Sequence, residues 1–74
     1  MRLLINQYRN TAFNLEKIDS LYRDGCFIDV LYSGKDEVLA SYSSREDAEK
    51  AFGRIITEIT NGAAIIIAPA EKAD

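Results

Sequence analysis

One long stretch of the chain repeats its apolar residues at helical spacing and carries both a start and a stop signal, and strand-like sequence flanks it on both sides. Ala48, Ala51, Phe52, Ile55, Ile56 and Ile59 follow the helical period, while Arg45, Glu49, Lys50, Arg54 and Glu58 take the other face. Ser43 precedes Glu46 at the capping-box spacing, and Ser44 is a rival N-cap with Asp47 in an acidic first turn. Asn61-Gly62 supplies the stop, with Gly62 as the left-handed residue. The spacing predicts a helix over about 44–60, ~25 Å long. One such helix covers one face of a small sheet, so every other apolar face needs another cover.

Those other faces are many. Arg2 to Asn6, Ala12 to Leu15 and Ile18 to Tyr22 read as short strands. Leu15, Ile18 and Leu21 or Tyr22 also fit a helix over 14–23, but Asp24-Gly25 is a hairpin signal and favours the strand. Cys26 to Ser33 is the clearest strand, rich in β-branched and aromatic residues. Gly34 to Glu37 reads as its turn and Val38 to Tyr42 as its partner. After the helix, Ala63 to Pro69 is strand-like, and its three consecutive isoleucines are insoluble if left free. The expected fold is α+β: a small antiparallel meander of about four or five strands, one covering helix and a possible extra C-terminal strand. Residues 1–70 read as a single domain and 71–74 as a frayed polar tail.

Alternation places Ile28, Val30 and Tyr32 on the face toward the helix and Phe27, Asp29 and Leu31 on the other. By the same rule Leu39 opposes Val38, Ala40 and Tyr42, and it joins Phe27 and Leu31 on the uncovered face. Ile65, Ile66 and Ile67 add apolar surface on both sides of their strand. Single exposed hydrophobes need no explanation. A chain of 74 residues, however, buries only about 60 % of its unfolded surface, and self-association is a common staple for such chains. Phe27, Leu31, Leu39, Ile65, Ile66 and Ile67 are therefore the candidate interface. The expected assembly is a homodimer, formed through the second sheet face or by strand addition at the Ile65 segment.

The counts exclude much chemistry. There is no histidine, so the commonest general base and neutral metal ligand are missing. The single cysteine, Cys26, allows no intrachain disulfide and lacks a histidine to activate it. It reads as a buried small hydrophobe at a strand start, and its solitary state suits a reducing cytoplasm. The four glycines are too scattered for a phosphate cradle. Arg2 precedes an apolar run too short for a signal peptide, and Ala63 to Ala70 is far too short to span a bilayer. A pI near 4.8 with no basic run argues against nucleic-acid binding. Asp19, Asp24, Asp29, Asp36 and Glu37 lack calcium-loop spacing and read as solvated turns. No metal, cofactor or catalytic residue is expected. Tyr32 and Tyr42 are expected at the sheet–helix boundary with their hydroxyls in water. Tyr8 and Tyr22 are the freer contact candidates, joined by Arg23, Arg45 and Arg54 as possible anion holders.

Three segments together carry a resemblance: Leu3-Leu-Ile-Asn-Gln7, then Phe13 to Tyr22, then Ala40 to Ile59 with Tyr42, Ser44, Glu46 and Ala48 at the helix start. In this order they resemble short, mostly uncharacterised proteins of phages, prophages and mobile elements of Gram-positive bacteria. The likeness spans residues 3–60, carries no catalytic residue and leaves out the segment after the helix. It implies a small accessory protein, and some phage proteins of this size inhibit host defence systems by binding them. The expected function is a non-enzymatic protein-interaction module. The alternative is a small-molecule or nucleotide sensor or sponge, with its pocket between subunits.

Overall fold

The structure, a computed structural model, describes residues 1–71. It is α+β, with six strands in two three-stranded sheets and one helix among the described residues. The strands are β1 (Leu3–Ile5), β2 (Ala12–Asn14), β3 (Ile18–Asp24), β4 (Phe27–Tyr32), β5 (Lys35–Ser41) and β6 (Ile65–Ile67); the helix is α1 (Arg45–Thr60). β3, β4 and β5 form the expected antiparallel meander. The single meander sheet is corrected, because β1 pairs instead with β2 on one side and, in parallel, with β6 on the other. The strand preferred over a helix in 14–23 is present as β3, preceded by one 3-10 turn, Leu15–Lys17, which the Asn14 side chain opens by accepting from Glu16 N–H at 3.1 Å.

Local chemistry accounts for the turns. Ser33 and Gly34 have φ of 53° and 77°, so they form the two-residue loop between β4 and β5, and Lys35 already pairs with Tyr32. The turn is thus shorter than Gly34 to Glu37, and β5 starts earlier. Gly25 (φ 61°) and Cys26 form the loop between β3 and β4, which places Cys26 half-buried in a turn, not in a strand. At the start of α1 the Ser44 hydroxyl, not that of Ser43, accepts from Asp47 N–H at 3.1 Å. At its end Gly62 N–H reaches Ile59 O and Ala63 N–H reaches Glu58 O, a Schellman pair made possible by Gly62 at φ 82°.

One core lies between the sheets and the helix. Leu4, Phe13 and Ile66 enter it from the first sheet, Ala68 from just past β6, and Ile28, Val30, Leu39, Ala40 and Tyr42 from the second sheet and its end. Ala48, Ala51 and Ile55 close it from α1, with Phe52 and Ile59 half-buried beside them. Ile56 lies outside at 40 % exposure. The Phe13 and Tyr32 rings meet edge to face with centroids 5.2 Å apart and fasten β2 to β4.

The core removes two residues from the expected interface. Leu39 is fully buried. Ile28 faces Ala40 while Asp29 faces Val38, so Leu39 is the extra residue of a β-bulge and turns inward beside Ala40. Ile66 is also fully buried, because β6 pairs within its own chain and points this side chain at the core. Tyr42 is corrected as well: it is buried, and its hydroxyl donates to Pro69 O at 2.5 Å. Burial, with Glu71 nearby, pushes its pKa up to about 12. Glu71 itself accepts from Ser43 N–H at 2.6 Å, and the rest of the expected tail lies outside the described residues.

Candidate functional site

Two sheet faces remain open, and each is the reverse of a face that feeds the core. The first belongs to β3–β4–β5. Register aligns Ser20 with Leu31 and Asp36, then Tyr22 with Asp29 and Val38, then Asp24 with Phe27 and Ser41. Phe27 and Val38 are 49 % and 50 % exposed, and Leu31 is half-buried. Tyr22 reaches across β4 from one edge strand to the other, donating its hydroxyl to Asp36 Oδ1 at 2.7 Å. That hydrogen bond, with lesser contributions from desolvation and the surrounding carboxylates, lifts the Tyr22 pKa to about 12.

Asp29 sits in the middle of this face. Its Oδ1 is shut off from water and has no hydrogen-bond donor. Desolvation raises its pKa first, and Asp24 and Asp36 raise it further, while the Tyr22 hydroxyl offsets part of this. Tyr22 has one proton, and its hydrogen bond goes to Asp36. The face therefore presents aromatic and aliphatic surface around an under-satisfied carboxylate, with Asp24 and Asp36 exposed beside it. Asp24 and Asp36, expected in solvated turns, thus share one sheet face with Asp29. Among the described residues no group of His, Cys, Asp or Glu side chains is placed to hold a metal ion.

The second open face belongs to β2–β1–β6. The parallel register puts Leu3 beside Ile65 and Ile5 beside Ile67. With Leu4 and Ile66 turned into the core, these four aliphatic side chains share the outer side. Ile65 is 59 % exposed and Ile67 38 %, and β6 is the end strand of its sheet. A groove of about 410 Å³ runs beside β6, lined by Arg9, Arg54, Glu58, Ile65, Ile67 and Pro69 among others. An adjoining groove of about 300 Å³ shares Arg54 and Pro69 with it and adds Tyr42 and Lys50.

The remaining candidate contacts are dispersed. Tyr8 is exposed, with its hydroxyl 3.0 Å from Ser41 Oγ. Arg23 Nη1 donates to Gly25 O at 2.9 Å and so closes its own hairpin. Arg45 stands at the first turn of α1, Arg54 on its third turn and Arg23 on β3, so these three arginines form no single anion site. The cations that do gather are Arg9, Lys50 and Arg54, of which only Arg54 is a candidate from the sequence. Arg9 has φ of 61° in a loop built on Asn6, whose Oδ1 accepts from the N–H groups of Asn10 and Thr11. No sequence pattern points to its place beside β6.

No protein family matches the chain, and no curated protein or solved structure matches it either. Among the described residues no helix is long and apolar enough to cross a membrane.

Proposed function

We propose that this chain is a small non-enzymatic protein-binding module that acts by covering a surface of its partner. The observation that carries the reading is the outer face of β3–β4–β5, where Phe27, Val38, Leu31 and the Tyr22 ring surround Asp29. A partner segment with arginine or lysine among apolar residues suits this face. Its apolar side chains would cover Phe27 and Val38, and its cation would meet Asp24, Asp29 and Asp36. The resemblance to phage and mobile-element proteins extends the proposal: the partner is a host protein, such as a defence factor, and the site of action is the bacterial cytoplasm. Self-association belongs to the same reading and is supported by the open aliphatic face on β1 and β6.

Comparative capture tests the proposal. Wild-type chain and a Val38→Lys variant are immobilised and exposed to the same lysate of a Gram-positive host. The exposed position of Val38 leaves the fold intact in the variant. The reading expects a protein retained by the wild type and lost on the variant. Identical retention on both baits overturns it.

One observation favours a second reading, a binder of small anions. Arg54 lies between two adjoining grooves that also hold Arg9 and Lys50. A nucleotide at saturating concentration then raises the melting temperature of the wild type and not of Arg54→Ala. No shift across a nucleotide panel removes this reading.

A further inference from the structure

We infer that β6 is the seam of a two-fold homodimer, in which β6 of each copy pairs antiparallel with the other about an axis through Ile66. This rests on the self-association proposed for the chain and gives it a geometry. The parallel ladder fixes which backbone groups are used: Leu3 N–H donates to Ala64 O at 2.8 Å, and Ala68 N–H donates to Ile5 O at 2.9 Å. Alternate residues of a strand turn their backbone groups to a given neighbour. Ala64, Ile66 and Ala68 therefore turn toward β1, and the N–H and C=O groups of Ile65 and Ile67 turn to the free edge. Two residues presenting both groups at a spacing of two are the minimal self-complementary edge. Rotation about Ile66 sets Ile65 against Ile67 of the partner subunit, with paired backbone bonds and cross-strand contact between the aliphatic side chains.

The flanking charges select a second copy as the occupant. The short 61–64 connection runs α1 antiparallel to β6, so Glu58 lies toward the Ile65 end. Arg54 is one turn earlier and borders Pro69 and Ala70, toward the other end. The same rotation that joins Ile65 to Ile67 brings Glu58 of each copy toward Arg54 of the other. A parallel arrangement would instead set like charges together. Pro69, which has no N–H to donate, ends the seam after Ala68. An edge this short belongs at the small, weak end of interfaces, so association shows only at high concentration.

Light scattering and amide exchange, both followed across a concentration series into the millimolar range, test the seam. The mass is expected to rise from 8.3 kDa toward twice that value. As it rises, the Ile65 and Ile67 amides become protected. Glu58→Arg alone and Arg54→Glu alone keep the chain monomeric at concentrations where the wild type is dimeric. The double variant, whose charges are exchanged and again complementary, restores the dimer. Arg54 is exposed and Glu58 half-buried, and Ile65→Lys at an exposed edge position provides an independent block. A dimer whose Ile65 and Ile67 amides stay unprotected, or whose mass ignores the charge swaps, overturns the seam and leaves self-association standing. A chain that remains at 8.3 kDa throughout overturns both. Neither result touches capture of a partner by the Phe27 and Val38 face.

Discussion

Gln7 treats Ser41 as a strand neighbour. Its Nε2 donates to Ser41 O at 3.0 Å, and its Oε1 accepts from Ser41 N–H at 3.0 Å. Its own N–H donates to Leu39 O at 2.9 Å, the carbonyl of the bulged residue of β5. One residue thus completes the edge of β5 and ties the β1 end of the first sheet to the second. Replacing Gln7 by Ala removes both bonds to Ser41, and a longer one to Pro69 O at 3.4 Å, and leaves the Ser41 backbone groups to find water. The expected loss is about 1–3 kcal/mol in urea unfolding. Gln7→Glu also loses the donor and sets a carboxylate against the Ser41 carbonyl, so it fares no better at pH 7. Wild-type stability in Gln7→Ala contradicts the role given to this residue.

Neighbouring isoleucines on β6 should behave oppositely. Ile66 is fully buried and Ile65 is 59 % exposed. Ile66→Ala leaves a core cavity and is expected to cost about 2–5 kcal/mol. Ile65→Ala is expected to stay within about 1 kcal/mol, since it opens no cavity. Truncation after Gly62 removes the whole strand and strips β1 of its parallel partner, so a 1–62 chain should lose cooperative unfolding. A folded 1–62 chain with a sharp transition contradicts the packing of β6 against β1.

Asp29 should destabilise the fold when charged. Its folded pKa is raised above the reference value of 3.8, so the folded chain binds this proton more tightly than the unfolded chain does. Stability from this group therefore falls as pH rises from about 3.8 through the raised folded value. Asp29→Asn is expected to melt higher than wild type at pH 7, and the difference should shrink as both are brought below pH 4. A lower melting temperature for Asp29→Asn at pH 7 contradicts the sign.

The two serines at the start of α1 separate cleanly. Ser44→Ala removes the hydroxyl that accepts from Asp47 N–H and should cost about 1 kcal/mol. Ser43→Ala leaves its backbone bond to Glu71 in place and should stay within about 0.5 kcal/mol. The reverse ranking, read by thermal unfolding, assigns the cap to Ser43.

The helix and the hairpins were legible because their signals are local. A period, a cap and a glycine stop lie within the same twenty-odd residues, and Gly25 and Gly34 occupy turns where positive φ is required. The β5 bulge was not legible. Alternation assumes an unbroken period of two, and one added residue turned Leu39 from the open face to the core. The partner of β6 was hidden for another reason: Ile65, Ile66 and Ile67 are alike, so pattern alone says nothing about which side faces inward. Of the candidate surface, Phe27, Leu31, Ile65 and Ile67 keep outward positions. The charge arrangement was illegible because it depends on tertiary placement. Asp24, Asp29 and Asp36 share a face only through strand register, and Arg9 lines the same groove as Arg54 only because the loop after β1 ends beside β6.

Site-specific photo-crosslinking tests whether the outer face of β3–β4–β5 binds a partner. A photoreactive phenylalanine analogue is placed at Phe27, on the open face of β3–β4–β5, and in a second protein at Glu49, on the exposed side of α1. Both are irradiated in lysate of a Gram-positive host. A discrete adduct is expected at position 27, suppressed by excess wild-type chain, with no such adduct at position 49. The same adducts at both positions, or an adduct at 49 alone, would contradict the assignment of this face as the binding surface.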